Sequence, residues 1–214
     1  MKKLKMIKNK APGKLITFCG LDGCGKTTLI NDLIEDIGNK DIIFLTKQPT
    51  KAVRRSEIFR TYMDSSDHSE FDYRSLSLLA ASDRIQHTNK LIKKKLEEGY
   101  IVISDRYFYS CLANLRARGY KSDKWIYEIA KYIIKPDLAF FLDVSPQTAI
   151  SRVRQRPDEA DSFIDIPLQY RLRQEYVDIC RKNKGILINS SLSEEKCRKI
   201  VKENAERIIK YDHY

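Results

Sequence analysis

A glycine-rich segment near the start of the chain carries residue types that bind phosphate. It reads G-L-D-G-C-G-K-T-T and directly follows the apolar run L-I-T-F-C. Glycines let the backbone curl so that successive N–H groups point at an anion, and a helix that begins there adds its positive dipole end. A bare glycine turn has no need of Lys26 followed by Thr27. The segment therefore predicts a nucleoside triphosphate site. Its residues are Gly20, Leu21, Asp22, Gly23, Cys24, Gly25, Lys26, Thr27 and Thr28.

Two residues at the end of this loop have distinct predicted roles. Lys26 is placed to reach the β- and γ-phosphates, and the Thr27 hydroxyl is placed to ligate Mg²⁺. ATP with Mg²⁺ is therefore the expected ligand.

A second polar set, Asp105, Arg106 and Tyr107, follows the apolar run I-V-I-S, with Ser110 just beyond it. Ligands of parallel sheets bind at the carboxyl ends of the strands. There Asp105 is placed to hold a Mg²⁺-bound water, and Arg106 is placed to bind a phosphate with two hydrogen bonds. The alternative is a surface salt bridge at a strand end, with no ligand.

Arg84 lies on the apolar face of a long predicted helix, beside Leu76 and Ala80. A guanidinium in that position is costly unless it meets an anion or a partner acid. Both remain open here: Arg84 binds a phosphate, or it forms a buried pair with an aspartate.

A third basic set, Arg152, Arg154 and Arg156, precedes the polar run P-D-E-A-D. The spacing indicates a helix end that enters a loop, predicted as a lid over about residues 152–165. Arginine is suited to stabilising the charge of a phosphoryl-transfer transition state. The alternative is a solvated basic helix end.

Apolar runs and helical patterns alternate along the remainder of the chain. The runs are continuous, which is typical of parallel strands covered on both faces. The alternation predicts an α/β fold with a doubly wound sheet. The predicted strands are 15–19, 41–47, 100–105, 137–144 and 185–189. After the helix that follows the glycine loop, the predicted helices are 51–63, 72–98, 123–134, 146–155, 167–182 and 193–210.

Composition limits the class of protein. The 214 residues carry a formal net charge of +11, but the first 14 residues hold six lysines and no acid. Most of the excess therefore lies in these 14 residues, so nucleic-acid binding as the main role is not favoured. Residues 1–13 form a basic tail that we expect to be disordered. No apolar stretch approaches the ~20 residues that cross a bilayer, so a cytoplasmic protein is expected, with five reduced cysteines.

The ordered set of motifs resembles the thymidylate kinase family of nucleoside monophosphate kinases. The resemblance covers most of residues 14–210 and implies one P-loop kinase domain over residues 14–214, with a five-stranded parallel sheet, helices on both faces and a short lid. The motifs are the glycine loop, L-L-A-A-S-D-R-I-Q-H (78–87), D-R-Y-F-Y-S-C-L-A (105–113), P-D-L-A-F-F-L-D-V (136–144) and L-I-N-S-S (187–191).

The resemblance implies roles for individual residues and a homodimer. Asp22, Arg84, Arg106 and Tyr107 would contact the acceptor nucleotide, with both arginines on its phosphate, and Asp105 would assist the metal. Because Gly23 stands where one branch of the family has an arginine, the lid would supply that charge. The catalytic residues implied are Lys26, Arg106, Arg152, Arg154 and Arg156.

The chain departs from the family where the acceptor base binds. Ala80 stands where the family has a stacking phenylalanine, and Asn114-Leu115 stands where it has an aromatic residue and a glutamine. The expected activity is ATP-dependent phosphorylation of a nucleoside monophosphate, dTMP in the first place. The alternatives are a kinase for another nucleotide, a nucleoside or a small metabolite, or a nucleotide-binding regulatory protein.

Overall fold

Five parallel strands form the central sheet of the computed structural model, which describes residues 2–65, 67–68, 71–160 and 163–209. The strands lie in the order β3-β4-β2-β6-β7, so every connection is a crossover and the predicted doubly wound sheet is confirmed. Short strands β1 and β5 pair separately. The strands are β1 Ile7–Lys8, β2 Lys14–Gly20, β3 Ile43–Lys47, β4 Ile101–Asp105, β5 Ile134–Lys135, β6 Leu138–Asp143 and β7 Ile186–Asn189.

Helices cover both faces of the sheet: α1 packs with α10, and α6 packs with α4 and α9. A π-helical turn, Thr88–Ile92, joins α4 to α5, so the long predicted helix is present with a local distortion. The helices are α1 Lys26–Ile37, α2 Lys51–Arg54, α3 Glu57–Asp64, α4 Tyr73–His87, α5 Lys93–Glu97, α6 Phe108–Ala117, α7 Trp125–Ile129, α8 Pro146–Arg154, α9 Ile166–Asn183 and α10 Glu194–Ile209.

Three helical segments differ from the prediction. The segment 51–63 is divided into α2 and α3, because the Ser56 side chain accepts a hydrogen bond from the N–H of Phe59 and starts a new helix. The segment 123–134 ends early, and Ile134 lies in a strand. Helix α6 was not predicted, because its buried residues lie on nearly all faces and leave no single apolar stripe.

The predicted lid, about residues 152–165, covers the end of α8 and the connection to α9, which contains a short 3₁₀ helix, Pro157–Glu159. Asp161 and Ser162, which belong to the predicted lid, lie outside the described residues, as do Met1 and the chain end from Lys210. Among the helices that the structure describes, none is both long enough and apolar enough to cross a membrane.

The basic N-terminal segment is packed on the domain, unlike the disordered tail that we expected. Ile7 and Lys8 pair in parallel with Ile134 and Lys135. Leu4 is only 5% exposed, and its N–H donates to Oδ1 of Asn183 at 3.0 Å. Burial of a leucine and pairing of a short strand offset the entropy lost when the lysine-rich segment is ordered. The prediction of disorder was based on the charge of the segment, which does not reveal either contact.

The first testable prediction concerns this anchor. Leu4→Ala is expected to lower the free energy of unfolding by about 2–4 kcal/mol, because it removes a buried leucine side chain. The measurement is urea unfolding, with Lys5→Ala as the exposed neighbouring control, and kcat is expected to stay unchanged. An unfolding free energy within about 0.5 kcal/mol of the parent protein would show that the segment is not anchored.

Candidate active site

The glycine loop lies between the end of β2 and the start of α1, as the sequence predicts. Gly23 and Gly25 have positive φ values of 78° and 96°, a region that favours glycine. A Cβ atom on Gly23 would collide with the carbonyl oxygen of Ala149, so α8 packs directly against the loop. Glycine is therefore required here both for the turn and for the close approach of the lid helix.

Lys26 is the first residue of α1 and turns back over the loop. Its Nζ donates to the carbonyl oxygen of Leu21 at 2.7 Å, and its side chain is 7% exposed. Thr27 and Thr28 are exposed on the same first helical turn. The lysine charge is therefore held at the helix N-terminus, where phosphate oxygens bind.

Arg106 connects the loop with the neighbouring strand β4. Its Nη1 donates to the carbonyl oxygen of Gly20 at 3.2 Å and to the Tyr176 hydroxyl at 3.0 Å, and its Nη2 lies 2.5 Å from Oδ1 of Asp22. The backbone of Arg106 has φ 66°, which is unusual for a non-glycine residue and is common at functional sites.

Asp22 extends from the loop towards solvent, with 70% of its side chain exposed. The Arg106 guanidinium holds the pKa of this carboxyl group well below its usual range. Asp22 is therefore an anion at neutral pH, and it fixes one side of Arg106 at the mouth of the site.

A cavity of about 530 Å³ opens beside the loop and has room for an acceptor. Its lining includes Asp22, Lys47 and Arg106 together with several aromatic residues. Charged and aromatic side chains together suit a ligand with a phosphate and a ring. Other residues that line it, for which the sequence predicts no role, include Arg54, Tyr62, Tyr73 and Arg118.

Arg84 lines the same cavity from α4 and is 3% exposed. Its Nη1 donates to the carbonyl oxygen of Ala80 at 2.9 Å, and its buried Nε has no partner in the described part of the chain. The nearest aspartate in sequence, Asp83, instead accepts from the N–H of Thr50 at 2.9 Å. These contacts favour the ligand-binding alternative over a buried arginine–aspartate pair.

Asp105 ends β4 next to Lys47, whose Nζ lies 2.9 Å from its Oδ2. The other oxygen, Oδ1, is buried and has no hydrogen-bond partner among the described residues. Nowhere in those residues do three acidic, histidine or cysteine side chains cluster as a metal cage. This set fits Mg²⁺, which binds through one or two protein oxygens, retained waters and substrate phosphates.

The three lid arginines do not point to one place. Arg152 Nη1 lies 3.4 Å from the carbonyl oxygen of Gly23 in the loop. Arg154 instead donates to the carbonyl oxygen of Ala160, and Arg156 lies 3.1 Å from Oε2 of Glu159. Of the three, only Arg152 has a hydrogen bond to the glycine loop in the described part of the chain.

Comparison with known proteins identifies the family. The family profile described as "Thymidylate kinase" matches residues 18–201, most of this chain. The chain belongs to the thymidylate kinase family. Its members are nucleoside monophosphate kinases, so the resemblance noted in the motifs is confirmed.

Relatives from archaea and bacteria match over most of their length. A probable thymidylate kinase of Thermococcus kodakarensis is 36% identical over 170 residues, covering 77% of this chain and 82% of the relative. A probable thymidylate kinase of Pyrococcus horikoshii is 34% identical over 186 residues, covering 85% and 89%. The thymidylate kinase of onion yellows phytoplasma is 32% identical over 206 residues, covering 92% and 99%.

Two residues that the thymidylate kinase resemblance placed near the acceptor lie in the core instead. Tyr107 is fully buried and donates through its hydroxyl to the carbonyl oxygen of Ile134 at 2.7 Å. Leu115 is 0% exposed and packs in the main core. The structure therefore does not bring Tyr107 to the cavity, and the α6 residue with an amide at the cavity is Asn114.

Ala80 does line the cavity, as its place in the family motif suggests. It lies seven residues after Tyr73 on α4, which puts both on one helix face. The small side chain leaves room where the family has a stacking phenylalanine.

This difference leads to the second prediction. Ala80→Phe is expected to raise kcat/KM for dTMP roughly 10-fold, because a base stacked on an aromatic ring gains about 1–3 kcal/mol. The measurement is steady-state kinetics, with Ser82→Phe as a control on the exposed side of the same helix. A decrease for dTMP would instead mean that the added ring overpacks the cavity and that the base lies where Ala80 is now.

Proposed function

We propose that this protein transfers the γ-phosphoryl group of ATP to dTMP, giving ADP and dTDP. The main support is the position of Arg106, which donates to the carbonyl oxygen of Gly20 in the glycine loop and also lines the adjacent cavity. A single guanidinium thus borders both the donor and the acceptor positions. The names of the relatives favour dTMP as the acceptor.

At the donor end, the loop backbone and the start of α1 bind the phosphates of ATP. N–H groups of the loop and of the first turn of α1 bind the anion, and Lys26 exchanges the Leu21 carbonyl oxygen for the β- and γ-phosphate oxygens. This exchange moves a desolvated positive charge to the group that is transferred.

At the acceptor end, Arg106 and Arg84 bind the phosphate of the monophosphate, and Asp22 keeps Arg106 in place. Their task is alignment, because a loose phosphoryl transition state needs little covalent help. Arg152 is the lid residue that stabilises the transferring group, since it already contacts the loop at Gly23.

Mg²⁺ bound with ATP would neutralise charge on the β- and γ-phosphates. The Thr27 hydroxyl and, through a water molecule, the unpartnered Oδ1 of Asp105 are the protein oxygens that would hold it.

We also propose a homodimer and a cytoplasmic location. The resemblance to the family supports the dimer, with the half-exposed Leu78 of α4 on a helix beside the sheet. All five cysteines are free and buried, which fits a reducing compartment. Light scattering after size-exclusion chromatography measures the dimer directly.

The activity is tested by coupled detection of ADP with ATP, Mg²⁺ and a panel of acceptors. We expect turnover with dTMP that exceeds turnover with CMP, dGMP and thymidine. Turnover with a nucleoside or another metabolite alone, or nucleotide binding without turnover, would contradict the proposal.

A further inference from the structure

A strongly basic face lies at the amino end of the central sheet. Three segments form it: residues 2–10 precede β2, residues 128–137 lead into β6, and residues 181–184 precede β7. Because β2, β6 and β7 are parallel neighbours, the segments that enter them meet at the same edge of the sheet. The glycine loop follows the carboxyl end of β2, so the basic face is separate from the candidate active site.

Hydrogen bonds fix these three segments against one another. The N–H of Leu4 donates to Oδ1 of Asn183, which joins the first segment to the third. The N–H of Ile7 donates to the carbonyl oxygen of Ile133 at 2.9 Å, which joins the first segment to the second. The lysines of residues 2–10 are therefore held at defined positions on the domain surface.

Positive charge dominates the basic face. It holds ten of the 40 lysines and arginines of the chain but only two of its 29 acidic residues. Both acids are engaged. Glu128 pairs with Lys131, and Asp137 accepts from Nδ2 of Asn9 at 2.7 Å. The other nine cations are exposed and form no ion pair with any residue that the structure describes. They are Lys2, Lys3, Lys5, Lys8, Lys10, Lys135, Arg181, Lys182 and Lys184.

Such a concentration of like charge is unfavourable unless an anion binds to it. Lys8 lies directly opposite Lys135 in the β1–β5 pair, where like charges repel. Elsewhere on the surface, lysines are matched with acids one helical turn away, as Lys93 is with Glu97. The family profile begins at residue 18, so residues 2–10 also lie outside the part of the chain that matches the kinases. The basic face therefore suits an anionic partner other than the nucleotides of the candidate active site.

An exposed aromatic ring lies within the basic face. Tyr132 is 61% exposed and directly precedes Ile133, which accepts the hydrogen bond from Ile7. Lysines bind the phosphates of a nucleic acid, and an exposed ring stacks on a base that is not paired within a duplex. A membrane surface would require a larger apolar area than Tyr132 and the half-exposed Ile7 provide. The combination favours a single nucleic-acid strand.

We propose that the basic face binds single-stranded RNA, with phosphates on the lysines of residues 2–10 and a base on Tyr132. Binding of this kind is tolerant of sequence and strongly dependent on salt. RNA is the abundant single-stranded nucleic acid of the cytoplasm, where we place the protein. This interaction goes beyond the proposed phosphoryl transfer and does not require it.

The test is fluorescence anisotropy of a labelled RNA of about 20 nucleotides, without self-complementary sequence and without a 5′-phosphate. We expect the parent protein to bind it with a Kd on the order of micromolar at about 0.1 M salt. The Kd is expected to stay unchanged when dTMP and an ATP analogue saturate the candidate active site.

The first variant combines Lys5→Gln, Lys8→Gln and Lys10→Gln. It is expected to bind the RNA about 10- to 100-fold more weakly and to keep the parent kcat. The slope of log Kd against log salt concentration is expected to fall by about two, since each phosphate contact on a single strand contributes about 0.7.

The matched control combines Lys51→Gln, Lys196→Gln and Lys199→Gln, which remove the same charge from exposed positions after the carboxyl ends of β3 and β7. It is expected to bind the RNA within about threefold of the parent protein. An equal loss in both triple variants would show an effect of net charge alone and would overturn the proposal.

Tyr132 provides a second, independent variant, which keeps the proposal testable if the triple lysine variant does not fold by circular dichroism. Tyr132→Ala is expected to weaken RNA binding about 5- to 50-fold without changing the salt slope, because it removes stacking and no charge. Tyr132→Phe keeps the ring and is expected to keep the parent Kd. An unchanged Kd in Tyr132→Ala would overturn the proposal.

Three further results would also overturn the proposal. They are release of the RNA by dTMP with the ATP analogue, tighter binding to single-stranded or duplex DNA of the same sequence, and tighter binding to phosphatidylcholine vesicles that contain phosphatidylglycerol. RNA binding by a protein that phosphorylates no nucleotide would contradict the proposed function and leave this proposal supported.

Discussion

Lys26→Ala is expected to lower kcat by on the order of 10²- to 10³-fold while the protein stays folded. The Lys26 ammonium is desolvated at the start of α1, and we propose that it moves from the Leu21 carbonyl oxygen to the transferring phosphoryl group. Backbone N–H groups alone cannot replace that charge. The measurement is kcat at saturating ATP and dTMP, with folding checked by circular dichroism.

The control for this variant is Lys199→Ala on α10, whose side chain is 76% exposed and lies 3.9 Å from Glu203. It is expected to keep the parent kcat. A folded Lys26→Ala enzyme with more than about a tenth of the parent kcat would contradict the role of the lysine.

Arg152→Ala is expected to lower kcat by a factor on the order of 10³, with little change in ATP affinity, if it acts as an arginine finger. The geometry distinguishes it from its neighbours, because Arg152 contacts Gly23 in the loop while Arg154 and Arg156 bind within the lid. The two measurements are kcat and the Kd of an ATP analogue.

Arg154→Ala and Arg156→Ala are the matched controls for this prediction. Both are expected to stay within about threefold of the parent kcat, since surface pairs of this kind contribute little. A large loss in either one, with Arg152→Ala near normal, would move the catalytic role to that residue.

The residues whose place in the candidate site sequence alone predicted are those whose signal is local. The glycine loop is one continuous segment in which spacing and residue type carry the chemistry, and it lies where a strand meets a helix. Arg106 could be predicted because it follows a strand whose carboxyl end must lie at the ligand edge. Arg84 could be predicted because a charge interrupts an apolar helix face.

The parts that the sequence did not predict depend on which side of a helix faces the cavity and on contacts between residues far apart in the sequence. Helix α6 has no polar stripe, so its cavity face could not be identified, and Leu115 was placed at the site together with Asn114 although only Asn114 lines the cavity. The contact between Arg118 and Tyr62 joins residues 56 positions apart. Leu4 was overlooked because one anchoring leucine is hidden among lysines.

We propose that the phosphoryl group passes directly from ATP to dTMP across Arg106. The most direct measurement follows ATP radiolabelled on its γ-phosphoryl group, incubated with Mg²⁺, dTMP and the enzyme, and separates the products by chromatography. We predict that the label appears in dTDP in equal amount to the ADP formed. Label released as inorganic phosphate, or ADP formed at the same rate without dTMP, would contradict the account.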